Sequence, residues 1–230
     1  MLDRFSSAEE LASAAAEQWL DDLASLRKPQ YNVALSGGRI SASFFAAIAA
    51  RVKQRNASLA TVHFFWADER CVPPDDPESN FRLAWEKLLQ PAKISKEHVH
   101  RIRGEEMPAK AAEFASAEMR RVVPINAASW PVLDMIFLGM GEDGHVASLF
   151  PPANPAPASD IYFPVIASKP PAERITICYE VIAAARKVWV LVSGSGKETA
   201  LKESLSEAGK TPLAHVVRLR DSTRVLTNLK

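Results

Sequence analysis

One repeated order limits this chain's fold more than any other feature: a short, near-continuous apolar run, then a small or charged cluster, then a segment with helical period. The runs are YNVAL (31–35), TVHFFW (61–66), LDMIFLGM (133–140) and VWVLV (188–192). A strand that is apolar on both faces belongs to a parallel sheet, because the crossover helices cover both of its sides. The expected fold is therefore α/β, a doubly wound, mostly parallel sheet with helices on both faces.

The rest of the chain fits that plan. Ser7 and Glu10 form an S-x-x-E capping box, and Leu11, Ala15, Trp19, Leu23 and Leu26 follow at helical spacing. YNVAL closes on Ser36-Gly37-Gly38 and leads into the helical ISASFFAAIAARVKQ (40–54). TVHFFWADER (61–70) reads as one strand, with helices over Ser79–Leu89 and Pro108–Val122 and a short strand at His98–Ile102. PPANPAPASD (151–160) is a loop, since its prolines lack N–H groups for regular pairing. It is the one candidate linker, and the expectation is a single domain over residues 1–230. RITIC (174–178), a short helical turn, VWVLV, a helix at Lys197–Leu205 and a last strand RVLTN (224–228) complete the order.

Charge narrows the function classes. Lys and Arg total 28 against 27 Asp and Glu, a formal net charge of +1. No excess field draws such a chain to nucleic acid or an anionic membrane, so any anion must be caught by a local site. Cys71 and Cys178 match neither a disulfide framework nor a metal pattern, as suits a reducing cytoplasm. The N-terminal MLDRFSSAEELASAAAEQ has no apolar h-region, and no run reaches the roughly 18 residues of a membrane span.

In an open parallel sheet, ligands bind beyond the carboxyl ends of the strands. Four such ends carry chemistry. Gly37 and Gly38 precede a helix, where bare N–H groups can meet a phosphate oxygen or simply make a turn. Asp68-Glu69-Arg70 sits at a strand edge, where alternation aims at least one side chain into the crevice. GSGKE (194–198) is no Walker loop, because Leu191 stands where the first glycine belongs and Glu198 where Mg²⁺ needs a hydroxyl. Lys197 opposes the dipole of the helix it opens, so it is either a solvated residue or a partner for bound phosphate. In GMGEDGHVASLFP (139–151), glycines allow a sharp turn, Glu142 and Asp143 can fix an imidazole tautomer, and His145 is the candidate general base. His63, His98, His100 and His215 read as structural. A metal site at Glu142, Asp143 and His145 is disfavoured because adjacent side chains diverge and no HExxH partner exists.

These clusters, LSGG (35–38), DER (68–70) with Asn80, GMGEDGHVASLFP, PPAERIT (170–176) and GSGK (194–197), closely resemble those of the 6-phosphogluconolactonases, over nearly the whole chain. The resemblance implies a Rossmann-like fold of the sugar-phosphate isomerase/deaminase type. It implies hydrolysis of 6-phospho-D-glucono-1,5-lactone, a sugar phosphate lactone, with no cofactor and no metal, by a monomer or weak oligomer that binds neither nucleic acid nor membrane. By the same resemblance His145 and Asp143, with Asp68, are catalytic, and Gly37, Gly38, Arg70, Asn80, Arg174 and Lys197 bind substrate, with Arg39 a further candidate beside them. Two positions depart from the family pattern. Arg39-Ile40-Ser41 replaces a Ser-Thr-Pro, so Arg39 either binds phosphate or points to solvent, and Val146 replaces a Thr.

Two rivals are weaker. Glucosamine-6-phosphate deaminases share the Asp-Gly-His core but continue with an acid, which Val146 to Pro151 lacks, and carry an aromatic where Arg70 stands. A sugar-phosphate sensor would need a helix-turn-helix, whereas this sequence opens on one core-type helix.

Overall fold

The computed structural model describes residues 1–26, 28–152 and 160–230. In chain order the elements are β1 (Leu2–Arg4), α1 (Ala8–Leu26), β2 (Tyr31–Leu35), α2 (Arg39–Arg55), β3 (Val62–Trp66), β4 (Asp68–Arg70) and α3 (Asn80–Ala84), which runs into a π-helical turn, Trp85–Leu89. A 3₁₀ turn, Lys96–His98, precedes α4 (Pro108–Val122), β5 (Met135–Gly139), β6 (Tyr162–Ile166), β7 (Glu173–Ile177) and α5 (Tyr179–Ala184). The chain closes with β8 (Lys187–Val192), α6 (Glu198–Ser204), α7 (Pro212–Arg218) and β9 (Arg224–Thr227).

Six strands form one parallel sheet in the order β1-β9-β8-β5-β2-β3. The apolar runs behave as expected: every residue of β2 is buried, as are all of β8 but its first. The winding reverses between β2 and β5, so the loops that leave those two strands diverge and open a crevice between them. Phe137 on β5 anchors the core beneath it. Its ring meets Trp19 of α1 at 5.5 Å, Phe44 of α2 at 4.7 Å and Trp189 of β8 at 5.8 Å, all edge-on, the arrangement aromatic quadrupoles favour. Ser7 caps α1 as expected, its Oγ accepting the Glu10 N–H at 3.1 Å, while the Glu10 carboxylate reaches back one residue further, to the Ser6 N–H at 2.7 Å.

Several elements differ from the sequence reading. Residues 61–70 are two strands, not one. The parallel pairing with β2 ends at Trp66, the Ala67 N–H donates to Leu35 O at 2.8 Å, and β4 then joins a second, three-stranded antiparallel sheet, β4-β7-β6. β6 went unread because Pro164 interrupts it; a proline is tolerated there because β6 is an edge strand. β1 went unread because its three residues are mostly polar; only backbone pairing with β9 makes it a strand. The segment at His98–Ile102 holds a 3₁₀ turn and a single bridge from Phe64 to Val99 in place of a strand, and α7 was not anticipated. Residues 153–159, most of the proline-rich loop, lie outside the described residues.

Candidate active site

Of the ten site residues expected from the sequence, all but Asp143 line one cleft above β2 and β5, formed by Gly37, Gly38, Arg39, Asp68, Arg70, Asn80, His145, Arg174 and Lys197 together with Ser36, Met140 and Ser193. Asp143 sits behind the imidazole instead, in a neighbouring hollow with Phe150 and Lys169 that shares His145 and Arg174 with the cleft.

The loop after β5 turns twice within nine residues. The Gly141 N–H donates to His145 O at 2.9 Å and the Gly144 N–H to Gly141 O at 3.1 Å, which folds the imidazole back over Gly141. A Cβ at Gly141 would lie 2.1 Å from His145 Nδ1, so only glycine leaves room for the ring. His145 Nδ1 is 2.6 Å from Asp143 Oδ1, and the same oxygen accepts the His145 N–H at 3.2 Å. Burial works to raise the Asp143 carboxyl, but the neighbouring imidazole and these hydrogen bonds outweigh it and hold the group below its ordinary value. A carboxylate can only accept here, so it fixes the neutral ring with its proton on Nδ1 and leaves Nε2 free to take one. The ring stays about one-third exposed and rests 4.8 Å from the Phe150 ring.

Cations surround this base. Arg70 and Arg174 are directly opposite each other on β4 and β7, a like-charge pairing that costs stability unless something anionic offsets it. Arg70 Nη1 donates to the Glu78 carbonyl, while its buried Nε has no hydrogen-bond partner among the described residues. Arg174 Nε donates to Pro171 O at 3.0 Å, and burial, followed by the Arg70 charge, depresses its guanidinium. Lys197 is likewise lowered, first by burial and then by Arg39, with Glu142 acting in the other direction. Arg39 opens α2, beside the N-terminus that Gly38 caps at φ +102° with no side-chain hydrogen bond among the described residues. Two cation pairs thus converge, one from the facing strands β4 and β7 and one from the starts of α2 and α6, and Asp68 is a carboxylate on the same lining.

Three residues shape the site whose roles the sequence did not assign. Glu69, 2% exposed, accepts N–H groups from Arg70, Asn80 and Phe81 and the Ser79 hydroxyl, so it clamps the start of α3. Burial pushes its carboxyl up to about 7 against the pull of those backbone donors. Ser148 and Thr176 are both fully buried: the Ser148 hydroxyl donates to Asp68 Oδ2 and its N–H to Thr176 Oγ1 on β7. The charged triplet Asp68-Glu69-Arg70 marked Glu69 only as a charge, and Ser148 and Thr176 lay inside the resembling motifs without any role attached to them. Val146, the departure beside His145, is fully buried in the core. Among the described residues, no group of three or more His, Cys, Asp or Glu is placed to hold a metal ion, and no helix is long and apolar enough to cross a membrane.

The family described as "Glucosamine-6-phosphate isomerases/6-phosphogluconolactonase" matches residues 6–226. The chain belongs to that family. On its 6-phosphogluconolactonase side, a 6-phosphogluconolactonase of Streptomyces coelicolor is 33% identical over 212 residues, 88% of this chain and 81% of the relative. One from Haemophilus influenzae is 36% identical over 174 residues, 75% of this chain and 72% of the relative. The crystal structure of 6-phosphogluconolactonase from Thermotoga maritima superposes with a TM-score of 0.81 at 27% identity, covering 99% of this chain and 97% of that one. A monomeric glucosamine-6-phosphate deaminase shares the fold alone, with a TM-score of 0.82 at 18% identity over 98% of this chain and 96% of the other. The family's members therefore share the parallel sheet, and the lactonases among them share the sequence as well.

Proposed function

We propose that this enzyme hydrolyses 6-phospho-D-glucono-1,5-lactone to 6-phospho-D-gluconate, the lactone step of the oxidative pentose phosphate pathway, with His145 as the base that activates water and with no metal or cofactor. The observation that carries this reading is the His145–Asp143 contact of 2.6 Å at the rim of a cleft whose lining holds Arg39, Arg70, Arg174 and Lys197.

In this reading the cations and the Gly37-Gly38 backbone take the phosphate, and Asn80 and Asp68 complete the wall. The phosphate is a handle: its binding energy holds the ring carbonyl near His145 without taking part in the bond changes. Water attacks C1 while its proton passes to His145 Nε2, and a tetrahedral oxyanion forms. Collapse breaks the C1–O5 bond, and the imidazolium returns the proton to O5, which leaves as a hydroxyl. The new carboxylic acid then loses its proton to solvent. An ester carbonyl lacks amide resonance, so a positioned water, an imidazole and fixed positive charge suffice without a Lewis acid. The catalyst is a single domain that acts in the cytoplasm as a monomer or weak oligomer, with the small lactone as its partner.

The deciding experiment is an assay on freshly generated lactone, corrected for spontaneous opening, with H145A beside the wild type. His145→Ala is expected to lower kcat by about 10²–10⁴ with the fold intact, the usual contribution of a general base. Wild-type turnover in that variant refutes the assignment.

A further inference from the structure

The loop that carries His145 contains a backbone irregularity. Ala147, on the cleft lining, adopts φ +50°, the left-handed region that a residue with a Cβ seldom occupies. Such a conformation persists only where its surroundings over-determine it.

Those surroundings are specific. Ser148, the next residue, has no solvent exposure and does not reach the cleft. Its N–H donates to Thr176 Oγ1 at 3.1 Å, and its hydroxyl donates to Asp68 Oδ2 at 2.7 Å. Asp68 and Thr176 are directly opposite each other on β4 and β7. The small antiparallel sheet therefore forms a polar socket that takes both donors of one residue. The turn itself closes with the Leu149 N–H on Val146 O at 3.0 Å.

The socket also reaches the other side of the crevice. Asn80 Nδ2 donates to Asp68 O at 2.9 Å and to Oδ1 at 3.3 Å, and Asn80 Oδ1 lies 1.8 Å from where a Cβ of Gly37 would fall. Asp68 thereby sets the spacing between the loops that follow β2 and β5.

We propose that Ser148 is a positioning residue for His145. Seated on Asp68 and Thr176, it holds Ala147 in its left-handed turn and so keeps the imidazole over Gly141 and facing the cleft, with no substrate contact of its own. The proposal deepens the lactonase reading and rests on it.

The test measures kcat and KM separately for wild type, S148A and the double variant A147G/S148A, with hydrogen exchange of the Gly141 amide as a readout that needs no turnover. Ser148→Ala is expected to lower kcat about 10- to 100-fold, the scale of a misplacement near 1 Å, with KM within about threefold. Glycine takes a positive φ without steric cost, so A147G/S148A regains most of the lost kcat. Exchange at Gly141, whose N–H binds His145 O, is faster in S148A and slower again in the double variant. A purely structural serine would lower thermal stability in both variants and gain nothing from glycine. Wild-type kcat in S148A, or a loss that glycine leaves untouched, overturns the proposal. If the wild type does not open the lactone, the lactonase reading fails, and an unchanged Gly141 exchange rate in S148A then separately overturns the positioning role. Should S148A not fold, T176V, which removes the second acceptor at equal volume, carries the same expectations.

Discussion

Gly141 and His145 illustrate how much one hydrogen atom decides in this site. The imidazole occupies the space a methyl group would need, with Nδ1 and Cε1 each 2.1 Å from that position. Gly141→Ala should therefore push the ring off Asp143 while leaving the sheet intact. Its kcat for the lactone is expected to fall by at least about 100-fold with thermal denaturation nearly unchanged; a variant with wild-type turnover would mean that the ring is not held as described. At this scale the sequence was legible wherever chemistry and position coincided. His145, Arg70, Arg174 and Lys197 follow strand ends or sit on the small sheet beside them, and the structure gathers them on one lining. Ser148 and Thr176 were illegible because a hydroxyl in an apolar stretch looks the same whether it is solvated or buried against a carboxylate. Asp143 was legible as a partner of the imidazole, yet it faces the hollow behind the ring, a distinction that depends on a turn no spacing rule resolves.

Elements tell a different story, clearest at the edge strand β3. Its His63 stacks on His98 at 4.2 Å, its Nδ1 is 2.9 Å from His100 Nε2, and His100 in turn binds Glu118 at 2.7 Å. Burial first, then the charges of His98, His100 and Arg121, push His63 down to about 4, with Glu97 opposing. Burial also lowers His100, against the pull of Glu118. An unfolded chain binds a proton at His63 near pH 6.5, whereas the folded one resists until about pH 4. The stability that neutral His63 supplies is thus fully present above about pH 6.5 and lost as pH falls toward about 4. Tm should decline across that window, and His63→Phe, which keeps a ring for the stack, should flatten the decline; an unaltered slope would place the acid sensitivity elsewhere. The inner parallel strands β2, β5 and β8 announced themselves here because they are almost wholly apolar. β4 and β6 did not, since one is a charged triplet that reads as the tail of β3 and the other contains Pro164. Their pairing is decided by β7, more than a hundred residues from β4, and local pattern cannot carry that information.

Across the whole molecule, the large sheet supplies stability and the small one supplies geometry. Phe137 joins α1, α2 and β8 through three aromatic contacts and is 2% exposed. Phe137→Ala should cost about 3–5 kcal/mol in urea unfolding, because the rings around it cannot all collapse into the space left behind; a loss below about 1 kcal/mol would show that this cluster is not central. The doubly wound order could be anticipated from alternating periods alone, whereas the clamp formed by β4, β7 and β6 could not. That clamp sets Arg70 and Arg174 opposite each other, and Lys197 is crowded by Arg39 on the cleft's other cationic side. With Arg39, Arg70, Arg174 and Lys197 on its lining, the cleft should attract small tetrahedral oxyanions. Phosphate or sulfate in a buffer will therefore compete with the natural ligand, so apparent affinities will drift with the choice of salt, and a sulfonate or amine buffer is the medium in which this protein's own preferences can be read.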